Sequence, residues 1–269
     1  DCHLLQKNLM NPYLFILSQL KIKQDQMTTT FSYLYLDSRH RNNPSDDDGR
    51  ANFNLSTPLR SVVSAELVSA SIPVSWYTIA QGKNTCQLTF SGSTTTITIV
   101  EGVYTLTTLA TAVQSAINTA NFTVAVQTTT NRLLFSFNAL FSLIVSHDQL
   151  ASVLGFQKNV TVSSQNNVIR STRVPELLPP YVSVCIKQLG SSYASGLGHE
   201  LPSTFLVPCD QNSGSVLTFN TSSHFSQKKN YRHCNSTVSQ LDCTLRDQHG
   251  DVIDMNGLPW AMVLKMECE

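Results

Sequence analysis

The chain has 269 residues, of which 41% are hydrophobic and only 13% are charged, and its 18 basic and 18 acidic residues give a formal net charge of zero. This length allows one large or two small domains with a substantial core, and the composition excludes collagen, a coiled coil and a disordered tail. The balanced charge lacks the electrostatic footprint of a nucleic-acid-binding protein, so no specific nucleic-acid binding is expected.

Serine and threonine replace charged residues as the polar cover of the protein. The sequence contains 32 Ser and 27 Thr, whereas its charged fraction is roughly half the usual share for a globular domain. Threonine favours strands and serine favours turns. The composition therefore predicts an all-β protein.

The first elements in chain order are an N-terminal segment and a strand. Residues 1–30 are predicted to be an arm or an upstream segment that precedes a domain at 31–269. The best candidate for a membrane span, Leu14 to Leu20, is too short to cross a bilayer, so no membrane span is expected. The run from Asn11 to Leu17 could pass for a short signal core but lacks a clear small-residue cleavage site. Alternation of large and small residues predicts a strand from Phe31 to Asp37. The acidic run Asp46 to Gly49 favours a solvated turn over a calcium loop.

One clear helix is predicted from Leu106 to near Ala120, because apolar residues recur at helical spacing behind a threonine cap at Thr105 or Thr107. A helical turn is predicted at 147–154. The polar stretch 159–173 predicts an exposed loop or linker. Strands are predicted at 60–73, 86–90, 94–100, 122–127, 133–137, 141–145, 181–187, 203–208, 215–219, 238–246 and 260–266, with Ser91-Gly92-Ser93 as a hairpin turn.

The sequence contains no pattern that identifies an enzyme. There is no nucleophile elbow, no zinc-protease helix motif and no phosphate-binding loop. Gly196-Leu197-Gly198 lacks the strand and helix of a dinucleotide site, and the acidic turn from Asp247 to Asn256 lacks regular calcium-loop spacing. His224, His233 and Cys234 form the nearest approach to a metal cluster, for which a surface loop is the favoured interpretation. No catalytic, cofactor-binding or metal-binding residue is predicted, and no cofactor is expected.

The seven cysteines are scattered and contain no pair at zinc-finger spacing. Their odd number is poor support for a secreted disulfide framework, although five glycosylation sequons would permit passage through the secretory path. Reduced thiols are therefore the favoured state.

Several segments between about residues 31 and 266 together carry a resemblance to a known family. They are Leu36-Asp37-Ser38-Arg39, Phe53-Asn54-Leu55, the strand Val62 to Pro73 with Trp76-Tyr77, Glu101-Gly102-Val103-Tyr104-Thr105, Ser152-Val153-Leu154-Gly155-Phe156, Leu245 to Gly250, and Asp254 to Trp260. In this order, they resemble the single jelly-roll penton (vertex) and minor capsid proteins of large icosahedral DNA viruses and virophages, whose major capsid proteins are double jelly rolls.

The resemblance implies a jelly-roll β-sandwich at 31–269, with a helix-containing insertion or accessory lobe at about 101–160. It also implies a non-enzymatic virion protein that is assembled in the host cytoplasm. Its expected partners are further copies of itself in a pentamer, the major capsid protein and other minor capsid proteins. Contacts with these neighbours are expected from the arm Asp1 to Met27 and from the loops Arg39 to Arg50 and Gln188 to Pro202.

Two other classes remain as alternatives to a penton or cement protein. A carbohydrate-binding or adhesive β-sandwich would need an exposed aromatic residue beside carboxylates or amides, and Trp76-Tyr77 and Trp260 are the candidates. Burial in the core is favoured for Trp260. A hydrolase on a jelly-roll scaffold would need paired carboxylates in a cleft, and the sequence identifies no such pair.

Overall fold

A computed structural model of the chain describes residues 29–44, 48–189, 193–194, 200–201, 204–231 and 237–269. Two helices and a short 3₁₀ turn at Ser38–His40 accompany its strands. The helices are α1 Leu106–Ile117 and α2 Asp148–Leu154. The strands are β1 Thr30–Asp37, β2 Arg50–Leu59, β3 Val62–Pro73, β4 Thr85–Phe90, β5 Ser93–Thr98, β6 Thr123–Gln127, β7 Arg132–Ser136, β8 Phe141–Val145, β9 Val162–Ser163, β10 Val168–Arg170, β11 Tyr181–Ile186, β12 Tyr193–Ala194, β13 Glu200–Leu201, β14 Thr204–Pro208, β15 Val216–Asn220, β16 Gln227–Asn230, β17 Val238–Arg246 and β18 Ala261–Cys268.

Nine strands of the described residues form two antiparallel sheets, and eight of the nine stand in jelly-roll order. The first sheet runs β1-β18-β3-β15, with β16 also paired to β3, and the second runs β14-β11-β17-β2. When the eight jelly-roll strands, without β16, are renumbered 1 to 8 along the chain, the two sheets have the orders 1-8-3-6 and 5-4-7-2. Interleaving of early and late strands in both sheets is the double Greek key of a jelly roll. The predicted all-β jelly-roll fold is confirmed.

The first hydrophobic core lies between these two sheets. The central strands β3, β17 and β18 bury mainly alternate side chains, whereas β11 is buried along most of its length. Trp260 is 1% exposed, packs edge-on against Phe53 at 6.2 Å between ring centroids, and donates its indole N–H to the Asp48 carbonyl at 3.0 Å. The expected burial of Trp260 in the core is confirmed.

A second hydrophobic core is formed by the segment between β3 and β11. Its two small sheets have the orders β5-β4-β8-β9 and β10-β7-β6, and α1 and α2 pack with them. The buried residues of this core run from Ile79 to Ile169, beyond both ends of the predicted insertion at about 101–160. We call the residues from Ile79 to Ile169 the insertion lobe. The predicted division of the chain at residue 30, with a jelly-roll domain from 31, stays a prediction.

Helix α1 begins and packs as its sequence predicts. Thr105 has an extended backbone, and its hydroxyl oxygen accepts a hydrogen bond from the Thr108 N–H. The hydroxyl oxygen of Thr108 in turn accepts from the Thr105 N–H, which completes a capping box. Its apolar face, including Leu109 and Val113, is buried in the second core. The helix ends at Ile117, three residues before the predicted end, because Asn118 takes the left-handed conformation that terminates helices.

Residues 159–173 differ from the predicted exposed loop. They contain β9 and β10, and β10 pairs with β7. Ser171 is fully buried, and its hydroxyl accepts from the Leu133 N–H at 3.1 Å and donates to the Arg173 carbonyl at 3.0 Å. A polar segment can therefore enter this core, because its polar groups find backbone partners there.

Strands β2 and β16 have no counterpart among the predicted strands. Strand β2 contains Pro58, which weakens the sequence signal for a strand. It is the terminal strand of the second sheet, however, and a terminal strand tolerates a residue without an N–H. Its pairing with β17 also shifts register between Val238 and Gln240. The hairpin between β4 and β5 is confirmed, since Ser91 and Gly92 both take positive φ.

Candidate functional site

The outer face of β1 carries three exposed aromatic side chains, Phe31, Tyr33 and Tyr35, which we call the aromatic stripe. Each is between 53% and 64% exposed. They alternate with Leu34 and Leu36, which pack into the first core, so the two-residue period of the strand places all three on one face. Strand β1 ends its sheet, and β18 is its only strand partner among the described residues. A row of exposed aromatic residues at a sheet edge is typical of a protein contact surface.

Charged groups border the aromatic stripe at both ends. The Lys265 ammonium lies 4.5 Å from the centroid of the Phe31 ring. At the other end, the Tyr35 hydroxyl donates to Asp37 at 3.2 Å, and the Arg39 guanidinium donates to the same carboxylate at 2.6 Å. Hydrogen bonds from Arg39 hold the pKa of Asp37 well below its usual range. The carboxylate is therefore ionised at neutral pH.

The opposite lateral edge of the sandwich also carries exposed apolar side chains, which we call the opposite-edge residues. They are Leu206 on β14, Val216 on β15 and Phe225 in the connection from β15 to β16, and Phe225 is 93% exposed. The Gln227 amide donates to the Leu206 carbonyl at 2.5 Å and accepts from the Leu206 N–H at 2.6 Å. This bridge occupies backbone groups of the terminal strand β14, so contacts here would use side chains rather than an added strand.

The predicted contact loop Arg39 to Arg50 is anchored to the jelly roll where it is described. Arg41 lies 3.4 Å from the Asp48 carboxylate, and Asp48 also accepts from the Gly257 N–H at 2.5 Å. The arm Asp1 to Met27 lies outside the described residues, as does most of the loop Gln188 to Pro202. The proposed contacts of these segments stay predictions.

A cavity of about 600 Å³ lies between the jelly roll and the insertion lobe. The jelly-roll wall consists of the segment that leaves β3, at 76–78, and the connection between β17 and β18, at 247–256. The other wall contains residues 80–83 of the insertion lobe and 149–153 of α2, and it closes with the returning segment 176–179. The cavity thus combines residues that are remote in sequence.

Three buried side-chain atoms among the described residues lack a hydrogen-bond partner, and all three belong to the lining of this cavity. They are the indole nitrogen Nε1 of Trp76 and the amide oxygens Oε1 of Gln149 and Gln248. Trp76 is 7% exposed. Unpaired buried polar atoms are uncommon in folded proteins and cost about 1–3 kcal/mol each. Their concentration at one cavity makes it a candidate binding site.

The charged groups of the cavity are mostly acidic. Its lining contains Glu101, Glu176, Asp247, Asp251 and Asp254, with Lys83 as its one lysine or arginine. The Lys83 ammonium pairs with Asp251 at 2.5 Å.

Asp247 is held differently from the other acids of the cavity. Burial raises its pKa, and the opposing influence is hydrogen bonding from the backbone N–H groups of Asp251 and His249, each 2.9 Å from the carboxylate. Backbone N–H groups of the acidic turn at 247–256 therefore hold the Asp247 carboxylate of the same turn.

The chain was compared with known proteins at the level of sequence and of structure. No family model and no curated protein matches it. Its structure is similar to the crystal structure of a selenomethionine-labelled mavirus penton protein, with a TM-score of 0.41 and 10% sequence identity. The match covers 89% of this chain and 100% of the penton protein.

The remaining sequence candidates form no site within the described residues. Their His, Cys, Asp and Glu side chains include no group of three or more that could hold a metal ion. His224 stacks on Phe219 at 5.1 Å between ring centroids, whereas His233 and Cys234 lie outside the described residues. Burial raises the pKa of the Cys86 thiol to about 12, and Cys86, Cys209, Cys243 and Cys268 are free thiols. No described helix has the length and apolarity needed to cross a membrane.

The aromatic stripe and the cavity were only partly recognisable from the sequence. The Phe-Ser-Tyr-Leu-Tyr alternation predicts β1, and the size of its outward residues is also the signal for the aromatic stripe. Of the sugar-stacking candidates, Trp76 and Tyr77 both belong to the cavity lining, where Trp76 is buried and Tyr77 is exposed. Gln149 and Gln248 carry no sequence signal, because only folding brings α2 and the β17–β18 connection together.

Proposed function

We propose that this chain is a structural virion protein whose copies join edge to edge in a ring of five, as the penton that closes a five-fold vertex of an icosahedral capsid. The observation that carries the proposal is the presence of two different apolar surfaces on opposite lateral edges of one jelly roll. The resemblance of the sequence to penton and minor capsid proteins supplies the capsid role and the number five.

The two edges support a head-to-tail contact. The aromatic stripe lies on β1, at one end of the first sheet, and the opposite-edge residues lie on β14, β15 and the connection to β16, at the other end of the sandwich. A contact between two different surfaces repeats by rotation and closes into a ring when the rotation closes. We propose that the aromatic stripe of one copy packs against Leu206, Val216 and Phe225 of the next.

The chemistry of the edges fits contact with another protein. Aromatic residues are enriched in protein interfaces, where they bury much area with few rotatable bonds. The partners in this proposal are the neighbouring copies in the ring, and beyond them the major capsid protein and other minor capsid proteins. We propose no catalytic activity.

The experiment is a measurement of the oligomeric state of the purified full chain by light scattering over a range of concentrations, combined with negative-stain imaging. A ring of five has a mass of about 150 kDa, five times the 29.7 kDa chain. Five-fold rings of this mass are expected at high protein concentration, because weak edge contacts assemble by mass action.

Two outcomes would refute the vertex role. A closed ring with another number of subunits contradicts the pentamer, and a monomer at every concentration contradicts edge-to-edge assembly. A monomer that binds purified major capsid protein would indicate a cement protein instead.

A further inference from the structure

The cavity between the jelly roll and the insertion lobe has the size and the unmet hydrogen-bonding capacity of a ligand site. Its volume of about 600 Å³ lies within the range of small-molecule sites, about 300–1,000 Å³. Such sites are common where two structural units meet. The unpaired atoms of Trp76, Gln149 and Gln248 then define what the ligand must offer.

The unpaired atoms require a ligand that both accepts and donates hydrogen bonds. The Trp76 N–H needs an acceptor, whereas the two glutamine oxygens need donors. A hydroxyl group supplies both functions, whereas an alkylammonium ion donates only and a carboxylate or phosphate accepts only. The two glutamine oxygens are buried, so a ligand reaches them after rotation about the terminal torsion of the side chain, which is broad in glutamine.

The charges of the cavity lining further restrict the class of ligand. The carboxylates of Glu101, Glu176 and Asp254 have no cationic partner in the described ion pairs, and Lys83 is already paired with Asp251. This excess of negative charge disfavours anionic ligands. The described residues also provide no cluster that could hold a metal ion.

An exposed aromatic ring stands beside these polar groups. Tyr77 is 39% exposed in the lining, next in sequence to the buried Trp76. Its ring offers an apolar face, and the amide of Asn256 and the carboxylates of the β17–β18 connection lie in the same lining. Aromatic side chains combine such an apolar face with a polar group at the end of the ring. A sugar presents the complementary surface, an apolar C–H face edged by hydroxyl groups.

We propose that the cavity between the jelly roll and the insertion lobe binds a neutral saccharide of one or two rings. Trp76, Gln149 and Gln248 hydrogen-bond its hydroxyl groups, and Tyr77 packs against the face of one ring. This proposal is independent of the capsid role, because the cavity lies between the two cores of one chain and needs no second copy.

The test is a binding screen on the full-length protein. The neutral probes are glucose, galactose, mannose, N-acetylglucosamine, lactose, maltose, cellobiose and chitobiose. Glucuronic acid and N-acetylneuraminic acid serve as anionic probes, and spermidine serves as a cationic probe. Melting temperature is the first readout, because a ligand that binds the native state raises it. Titration calorimetry of each hit gives the stoichiometry and Kd.

Two cavity variants and one matched control separate this site from binding elsewhere. Gln149→Ala removes an amide from the lining, and Trp76→Phe removes the indole N–H while it keeps an aromatic ring. Gln87→Ala makes the same chemical change as the first variant at an exposed position of β4 that is not in the lining. We expect each cavity variant to weaken binding about tenfold, the effect of one lost hydrogen bond of ordinary strength, and the control to leave Kd unchanged.

The expected result is binding of at least one neutral sugar at one molecule per chain, with Kd raised in Gln149→Ala and unchanged in Gln87→Ala. Absence of binding to all eight neutral sugars would overturn the proposal. Binding of spermidine or the acidic sugars alone would overturn it as well. A neutral sugar that binds both cavity variants as tightly as the unsubstituted protein would place the site elsewhere and refute the assignment. Gln149→Ala keeps the test valid if Trp76→Phe does not fold.

Discussion

Replacing Tyr33 by threonine is expected to weaken the proposed ring while the monomer stays folded. Tyr33 is the central residue of the aromatic stripe and is 64% exposed. Threonine keeps the strand propensity of the position, and such differences are within about 1 kcal/mol. The substitution removes the aromatic surface that a neighbouring copy would cover.

The exposed fraction of Tyr33 sets the magnitude of the effect. A fully buried tyrosine removes about 150–250 Å² from solvent, so an exposure of 64% leaves about 130 Å² to be covered by a neighbour. At about 25 cal/mol per Å², this area corresponds to about 3 kcal/mol for each subunit contact. The association constant of each contact should therefore fall about 100-fold.

The assay is light scattering of Tyr33→Thr and the unsubstituted protein over the same concentration range, with urea denaturation of each as the measure of stability. Leu140→Thr is the matched control, because Leu140 is 68% exposed and belongs to the insertion lobe rather than to the aromatic stripe or the opposite-edge residues. We expect the midpoint of assembly to rise only for Tyr33→Thr. Equal assembly of Tyr33→Thr and the unsubstituted protein would refute the assignment of the aromatic stripe to the interface.

Three further predictions concern stability and pH. Leu109→Ala should lower the free energy of unfolding by about 2–5 kcal/mol in urea denaturation, since Leu109 is fully buried in the second core. Gly155→Ala should lower the melting temperature, because Gly155 has φ +75° and a Cβ there would overlap the carbonyl oxygen of Arg173. Asp37→Asn should be less stable than the unsubstituted protein at pH 7, and the difference should shrink as pH falls below about 4, the usual aspartate pKa. Arg39 lowers the pKa of Asp37 in the folded state below its value in the unfolded state. The ionised carboxylate therefore stabilises the fold above the unfolded-state pKa, and this stabilisation is lost as pH falls towards the lower folded-state pKa.

Each of these predictions has a control and a contradicting outcome. Leu106→Ala, at a less buried position of α1, should cost less than Leu109→Ala, and equal costs would contradict the assigned core face. Gly82→Ala also changes a glycine with positive φ but meets open space, so a loss as large as that of Gly155→Ala would show that the overlap is unimportant. For Asp37→Asn, a stability difference that stays constant from pH 7 to pH 3 would contradict the role of Arg39.

Local patterns in the sequence were enough to predict most of the elements. The alternation in 31–37 predicts β1, and the apolar spacing from Leu106 to Ile117 with Thr105 before it predicts α1 and its cap. These signals are local because side-chain direction repeats every two residues in a strand and every 3.6 in a helix. Strand β2 carries no comparable pattern, since Pro58 is acceptable only because β2 ends its sheet.

The sequence by itself determined the all-β class, the positions of the main strands and the capped helix, because these depend on composition and on residues a few positions apart. Only the tertiary structure decided that β1 and β15 lie at opposite ends of one sheet and that Trp76, Gln149 and Gln248 line one cavity. Both arrangements depend on the relative positions of residues that lie more than 70 positions apart in the sequence. Such contacts are selected by the burial of two separate cores, a property of the whole chain that no local pattern contains.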